Sequence, residues 1–396
     1  MRRSYYIGTG LLALLGALGL GSSIIRQKAT VEAAGVQAPR FEVDPMWPKP
    51  LPNHWIMGWT VGVSVDAQDH VWVVHQANKL EPTELYAATK PPSSVCCLAA
   101  PPVLEFDQAG NLIGHWGGSN QGCEWPDSNH GVTIDYKGNV WIGGNGPTEA
   151  QVLKFTQDGK FLMQIGHQNK SKGSNDVENL GRPSKVVVDQ MTNEAYVADG
   201  YGNKRIIVYD AETGKYKRHW GAYGNKPEDT NLGLYNPDSP PAQQFRNPVH
   251  CVELSSDGLL YVCDRVNDRL QVFHKDGTFV REAFIAKRTL GEGSVFDIAF
   301  SKDPQQKYVY LADGSNDRVY VIERDTLEVL TSFGDGGRQP GQFYAVHSIA
   351  TDSKGNIFTT ETRRGQRVQK FVYKGIGPVT KKDQGVVWPK TAKSPI

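Results

Sequence analysis

The feature that most restricts the fold of this chain is a strand pattern that recurs at intervals of about forty residues or more. Each copy has a short apolar strand ending near Asp or Ser, a Gly turn, a strand such as "NVWIGG", a loop, a strand such as "QVLKF", and an aromatic strand such as "YKRHWG". The first strands of six copies end at Asp66, Asp135, Asp189, Ser255, Ser301 and Asp352. Such units cannot bury both faces alone, so neighbouring units must stack.

Four-stranded units arranged radially form a propeller, so we predict an all-β, six-bladed β-propeller with four antiparallel strands per blade. The 42 glycines and 23 prolines fit many short strands and turns better than helices. The sixth copy has no clear closing strand, and we expect either "RFEVDPMW" at 40–47 or the tail "QGVVWP" to close the ring. The pattern resembles NHL-repeat propellers over residues 42–376, a scaffold that serves enzymes and binding modules alike.

The N-terminal segment differs from the rest of the chain. Two arginines precede 21 uncharged residues, from Tyr5 to Ile25, which predicts an export signal cleaved after "VQA" near Ala38. The same run is long enough to remain as a membrane anchor with its N-terminus inside, so cleavage stays open. We expect a periplasmic or extracellular protein that contacts a membrane only through this segment. The predicted parts are a signal or anchor, an NHL-type propeller and a C-terminal tail, at 1–38, 39–376 and 377–396.

Charge and cysteine content narrow the expected partners. The 43 basic and 42 acidic residues nearly cancel, so we expect no nucleic-acid partner, and we expect a monomer. Five cysteines fit an oxidising compartment. Cys251 and Cys263 flank one predicted hairpin and are close enough in register to form a disulfide. Cys96, Cys97 and Cys123 lie in loops, where one pair can form and one thiol remains.

Histidine recurs at one position of the repeat. The first strand of a propeller blade lines the central channel, and five residues before its end the six copies have Val61, His130, Ser184, His250, Phe296 and His347. Alternate blades lie about 120° apart, so three imidazoles converge on the axis. One such histidine alone would fit a hydrogen-bonded core residue. Three neutral imidazoles with an open fourth position instead predict a site for zinc or another divalent transition metal.

The residues after the second strands face the same end of the channel. Tyr201 and Arg265 are the chemically important members. A phenol beside a divalent cation has a lowered pKa and can act as a base, and an arginine can hold a carboxylate through two parallel hydrogen bonds. The alternative for the arginine is an Asp–Arg pair that ties blades together. Long insertions on this face predict lids or binding loops, at 77–101, 119–127, 167–181 and 222–245.

Three motifs resemble those of the lyase domain of peptidylglycine α-amidating enzymes, namely "NHGVTIDYKGNVW", "FRNPVHCVELSSDGLLYVCDR" and "FYAVHSIATDSKGN". The resemblance implies a zinc ion held by His130, His250 and His347. It also implies that Tyr201, in "YVADGYGNKRIIVY", is the catalytic tyrosine and that Arg265 is an active-site arginine. The reaction it implies splits a C-terminal α-hydroxyglycine into an amide and glyoxylate, with the metal polarising the hydroxyl while a base removes its proton.

The chain departs from that family at three positions. Gln76 replaces an active-site arginine, so Gln76 and Arg265 are the substrate-binding candidates, and a different or less acidic substrate is expected. Ala345 replaces a methionine two residues before the third histidine. Ser348 replaces an aspartate that helps bind structural calcium, which argues against a calcium cofactor here.

Three function hypotheses follow from these patterns. The first is an exported metal-dependent lyase that cleaves an α-hydroxy amide of the carbinolamide type, or a related small or peptide-terminal substrate, with a hydrolase using metal-bound water as its variant. The second is a lactonase-type propeller with axial calcium, which would need carboxylate and amide oxygens where this chain has imidazoles. The third is a non-enzymatic NHL interaction module, which would bind no metal.

Overall fold

Six four-stranded antiparallel sheets make up the chain in a computed structural model, which describes residues 35–119 and 122–379. The innermost strands contact one another in cyclic order and the sixth contacts the first, so the sheets close into a ring around a channel. The predicted six-bladed β-propeller is confirmed. Within the described residues, no helix has the length and apolar character needed to cross a membrane. Most of the predicted signal or anchor lies outside the described residues.

Each blade has four strands, counted here from the channel outwards. The outermost strand of the sixth blade comes from the N-terminal part of the described chain. That strand is β1 (Val36–Asp44), and a separate parallel pair is formed by β2 (Trp55–Ile56) and β5 (Leu98–Ala99). Blade 1 consists of β3 (Trp59–Val65), β4 (Val71–Gln76), β6 (Val103–Phe106) and β7 (Leu112–Trp116). Blade 2 consists of β8 (Asn129–Ile134), β9 (Val140–Gly144), β10 (Gln151–Phe155) and β11 (Phe161–Gly166). Blade 3 consists of β12 (Pro183–Asp189), β13 (Glu194–Asp199), β14 (Arg205–Asp210) and β15 (Tyr216–Trp220).

The remaining blades follow the same order. Blade 4 consists of β16 (Val249–Leu254), β17 (Leu260–Asp264), β18 (Arg269–Phe273) and β19 (Phe279–Phe284). Blade 5 consists of β20 (Asp297–Phe300), β21 (Tyr308–Asp313), β22 (Arg318–Glu323) and β23 (Val329–Phe333). Blade 6 consists of β24 (Val346–Thr351), β25 (Ile357–Glu361), β26 (Arg367–Val379) and β1. Short 3₁₀ helices lie in the connections, at Ala77–Lys79, Pro82–Glu84, Tyr86–Ala88, Ala222–Gly224, Arg265–Asn267 and Arg363–Gly365.

The N-terminal strand closes the ring by pairing with β26. Phe41 of this strand is buried, with its ring centroid 5.3 Å from those of Tyr310 and Phe333. Burial of one phenylalanine side chain contributes about 2–3 kcal/mol, which favours closure at this seam. Of the two predicted closing segments, the one containing 40–47 is therefore in place, whereas the tail "QGVVWP" lies outside the described residues. The strands of blade 6 extend beyond the predicted propeller bounds of 39 and 376.

Six apolar clusters form the core, one between each pair of neighbouring blades. The strand-ending aspartates of the repeat organise the turn that follows. Asp66 Oδ1 accepts the backbone N–H groups two and four residues later, and its Oδ2 accepts Trp72 Nε1–H at 2.9 Å. Asp135 makes the equivalent contacts, including one with Trp141. This repeated turn sets the register of the inner strands, and so the position of the channel residues.

Two disulfides are present among the described residues. Cys251 and Cys263 face each other across β16 and β17, with their Cα atoms 4.8 Å apart, so the predicted hairpin disulfide is formed. Cys96 and Cys97 are bonded to each other in the 77–101 loop, and Cys123 is the free thiol.

Candidate metal centre and active site

The three histidines of alternate blades meet at one end of the channel. His130, His250 and His347 are buried, and their ring centroids lie 4.7 to 5.0 Å apart. One ligand nitrogen from each lies within 4.8 Å of the others. The repeat alignment therefore predicted this convergence correctly.

A local backbone irregularity turns these side chains towards the axis. The pairing between first and second strands shifts register at the aligned position in five blades, around Val61, His130, Ser184, His250 and His347. A β-bulge places two successive residues opposite one and re-aims a side chain that would otherwise alternate between faces. As a consequence, the side chains of two consecutive residues of one inner strand can both point into the channel.

Each imidazole is fixed by the next blade in the ring. The Nδ1 atoms of the three histidines contact backbone carbonyl oxygens, in the pairs His130–Ser184 at 2.8 Å, His250–Phe296 at 2.6 Å and His347–Val61 at 2.8 Å. A carbonyl oxygen only accepts, so Nδ1 carries the proton and Nε2 keeps its lone pair. The three partners are the aligned residues of the blades without histidine, which means all six ring positions build the site.

The electrostatic surroundings keep the imidazoles neutral. Burial lowers the pKa of His130 to about 4, and the charges on Arg265 and Lys185 act in the same direction. Burial also holds the pKa of His250 and of His347 well below the usual value, and the neighbouring imidazoles add to the effect. Three neutral nitrogen ligands, each with its second nitrogen anchored, fit zinc or a similar transition metal and not calcium or magnesium.

Tyr201 lies beside this nitrogen face. Its Oη is 3.1 Å from His130 Nε2 and 3.0 Å from His250 Nε2. Its ring is flanked by the guanidinium groups of Arg182 and Arg265, at 5.8 and 5.7 Å from the ring centroid. The structure thus brings the predicted base into contact with two of the three predicted metal ligands.

The Arg265 side chain lines the cavity beside Tyr201. Its Nη1 donates to Tyr201 Oη at 3.3 Å, its Nη2 donates to Glu292 at 2.6 Å, and its guanidinium stacks on Phe296 at 4.7 Å. The Asp–Arg pair of this blade is formed by Arg269, which contacts Asp264 on the neighbouring strand at 2.6 Å with neither side chain exposed. The Asp–Arg alternative therefore does not describe Arg265.

Gln76 lines the cavity but uses its amide nitrogen elsewhere. Its Nε2 donates at 2.9 Å to Ser128 Oγ and to the carbonyl of Asn129, which ties blade 1 to blade 2. Ala345 also lines the cavity. The predicted substrate-binding candidate at position 76 is thus a polar wall residue without a charge.

The site opens into a cavity of about 570 Å³ that contains three cations absent from the candidates chosen by sequence: Lys79, Arg182 and Arg363. Glu292 is the acidic residue among those lining it. Arg182 stands two residues before Ser184 of the aligned set, so connections that enter the inner strands also face the cavity. That register signal could have identified Arg182, whereas Glu292 stands four residues before Phe296 and does not share it. Among the described residues of the four long insertions, those that line the cavity come from 77–101.

No protein-family model matches the chain. It is 29% identical over 234 residues to peptidyl-glycine alpha-amidating monooxygenase B of Xenopus laevis, covering 58% of this chain and 24% of that protein. It is 37% identical over 257 residues to peptidyl-alpha-hydroxyglycine alpha-amidating lyase 2 of Drosophila melanogaster, covering 61% and 55%. With NHL repeat-containing protein 3 of Mus musculus it shares 25% identity over 291 residues, covering 70% of each.

The chain therefore spans about a quarter of the length of the Xenopus relative. Among solved structures, a streptogramin B lyase superposes with a TM-score of 0.52 at 10% identity, covering 84% of this chain and 98% of that one, which shows a shared fold. The predicted resemblance to NHL-repeat proteins and to amidating lyases is confirmed.

Proposed function

We propose that this chain is a metal-dependent lyase that cleaves the carbon–nitrogen bond of an α-hydroxy amide at the three-histidine face. The observation that carries the proposal is the convergence of three anchored imidazoles and Tyr201 Oη at one end of the channel. Relatives named as alpha-amidating lyases support the same reaction class. His130, His250 and His347 would hold a zinc ion or another divalent transition metal, which supplies Lewis-acid polarisation of the substrate hydroxyl.

Tyr201 supplies the base in this scheme. Its phenolate oxygen takes the hydroxyl proton, the O–H electron pair forms the new carbonyl, and the C–N pair leaves with the amide nitrogen, which is then protonated. The products are an amide and an aldehyde-type carbonyl compound. General base catalysis of this kind contributes about 10²–10⁴-fold to the rate.

Arg265 contacts this tyrosine and would also bind an anionic group of the substrate. Its Nη1–H donates to Tyr201 Oη at 3.3 Å, which orients the phenol oxygen at the histidine face. Removing the guanidinium would therefore misplace the base and weaken the hold on an anionic substrate.

We also propose export, with a small or peptide-terminal substrate as the partner and action as a monomer. The two disulfides among the described residues support an oxidising compartment, and the N-terminal sequence supports transport to it.

The test uses N-benzoyl-α-hydroxyglycine with the zinc-loaded mature chain, and it measures benzamide and glyoxylate together. Wild type should form both in equal amounts, and Tyr201→Phe should be slower by about 10²–10⁴-fold while keeping its metal. A panel of simple esters and lactones serves as the control for hydrolysis. Turnover of esters without turnover of the hydroxy amide would replace the lyase by a hydrolase.

A further inference from the structure

Glu292 bridges two arginines at the opening of the cavity. Its Oε2 accepts from Arg265 Nη2 at 2.6 Å and its Oε1 accepts from Arg363 Nη2 at 3.0 Å. The Arg265 side chain is only 8% exposed, whereas Glu292 and Arg363 are 51% and 52% exposed. One carboxylate from the connection between blades 4 and 5 thus joins arginines of blades 4 and 6, directly beside Tyr201.

The backbone next to Glu292 is tightly packed at Gly293 and has free space around it at Gly291. Gly291 and Gly293 have φ of 72° and 76°, a conformation in which glycine costs little. A Cβ at position 293 would lie 2.0 Å from the Arg265 carbonyl oxygen, so Gly293 packs directly on that backbone. A Cβ at position 291 would meet nothing within 4 Å. The local chain therefore has space for Glu292 to turn away from the arginines.

The cavity has an excess of positive charge, which favours the binding of an anion. Among the described residues that line it, Lys79, Arg182, Arg265 and Arg363 stand against one carboxylate, that of Glu292. A buried guanidinium that loses its partner is strongly destabilised. That partner can itself be buried, as in Arg205–Asp199 at 2.8 Å, where neither side chain is exposed. Arg265 has a partner at the solvent edge, as Arg324 does with Asp257, which is 49% exposed.

We propose that Glu292 is an internal occupant of a carboxylate site formed by Arg265 and Arg363, and that a carboxylate of the substrate displaces it. An incoming carboxylate keeps Arg265 paired, while a neutral substrate leaves Glu292 in place. The inference rests on the proposed function only for the location of the substrate. It reverses the expectation drawn from Gln76, because Arg363 supplies the cationic anchor from another blade and the preferred substrate is acidic.

The test measures binding of glycolate and of its neutral analogue glycolamide by calorimetry, on the mature chain as purified. Four proteins are compared: wild type, Glu292→Gln, Arg363→Gln and Arg364→Gln. Arg364 is the matched control, since it neighbours Arg363, pairs with Glu81 at 3.1 Å and does not line the cavity. All four keep the three histidines, so any metal contribution to binding is common to them.

Glu292→Gln should bind glycolate roughly tenfold more tightly and Arg363→Gln roughly tenfold more weakly, because charge-assisted contacts are gained or lost. Arg364→Gln should stay within about twofold of wild type, as expected for an exposed charge. Glycolamide affinity should be the same in all four proteins. Weaker or unchanged glycolate binding by Glu292→Gln would show that Glu292 only holds Arg265 in place, and an equal gain for glycolamide would show a steric effect; either result overturns the proposal.

These outcomes separate the two proposals. If the affinities follow the prediction but no hydroxy amide is cleaved, the carboxylate site stands and the lyase does not. If cleavage occurs but Glu292→Gln leaves glycolate binding unchanged, the lyase stands and the displaceable carboxylate does not.

Discussion

Two layers of side chains in the same channel differ in where their cation comes from. The upper layer consists of three neutral nitrogen acceptors, His130, His250 and His347. The lower layer begins one residue further along the inner strands, where Lys185 Nζ lies 2.7 Å from Asp297 and 2.5 Å from Glu253. Asp297 also accepts Ser348 Oγ–H at 2.6 Å. The lower layer therefore carries its own cation, and the upper layer is built to receive one from outside.

The difference between the two layers shows that neighbouring residues of one bulged strand can have different roles, one in chemistry and one in stability. Burial lowers the pKa of Lys185, but the charges on Asp297 and Glu253 outweigh burial, so its pKa is raised and the ammonium is permanent. Ser348, at the position where the resemblance implies a calcium-binding aspartate, lies beside this ion pair. An ammonium there repels a calcium ion, which gives the lower layer a structural role and the upper layer a chemical one.

Lys185→Met is the substitution expected to have the largest effect on stability. It leaves Asp297 and Glu253 as uncompensated buried carboxylates, so the free energy of unfolding should fall by about 3–5 kcal/mol. Urea denaturation measures the change. Lys217→Met is the control, because Lys217 is 37% exposed and Arg218 also binds its partner carboxylate on Glu194. A loss below about 1 kcal/mol for Lys185→Met would mean that the lower layer does not depend on its cation.

Zinc should stabilise the protein through the upper layer alone. At a free concentration of about a thousand times the dissociation constant, a ligand that binds only the folded state adds about 4 kcal/mol. Thermal unfolding of the chelator-treated protein should shift upwards on adding zinc, and His347→Ala should remove that shift. An equal shift in His347→Ala would place the zinc elsewhere.

A buried carboxyl group outside both layers provides the pH test. Burial raises the pKa of Asp268 to about 7, chiefly because its charged form is desolvated. A raised carboxyl pKa stabilises the fold below the unfolded value near 4, and this contribution is lost as pH rises towards 7. The unfolding free energy of wild type relative to Asp268→Asn should therefore decrease by about 1–3 kcal/mol over that interval. The pKa of Lys185 is raised, so its ammonium stays charged over this interval and should contribute no slope there.

Calcium should have the smallest effect. Because Lys185 already provides the cation of the lower layer and the upper layer offers only nitrogen ligands, millimolar calcium should shift the melting temperature by less than about 1 °C. A calcium-dependent increase that persists in His347→Ala would contradict the division of roles between the layers.

Much of the upper layer could be read from the sequence, because strand-ending residues such as Asp135 set a common register and the histidines recur in it. The carbonyl partners of the Nδ1 atoms could not be read from the sequence, since they are backbone atoms of the neighbouring blade. The β-bulges could not be read from it either. Gln76 drew attention to a missing charge, but Arg363 replaces that charge from a segment almost 290 residues away. Ring closure remained open in the sequence because both chain ends offered an apolar strand. In the structure the N-terminal strand pairs with β26, and Phe41 packs into the seam.

Elemental analysis of the purified mature chain tests the central claim most directly. Wild type and His250→Ala are compared after zinc reconstitution and removal of free metal. The three-histidine centre predicts about one metal atom per wild-type chain and less than about one tenth in the variant. Less than about one tenth in wild type, or an undiminished content in His250→Ala, would contradict it.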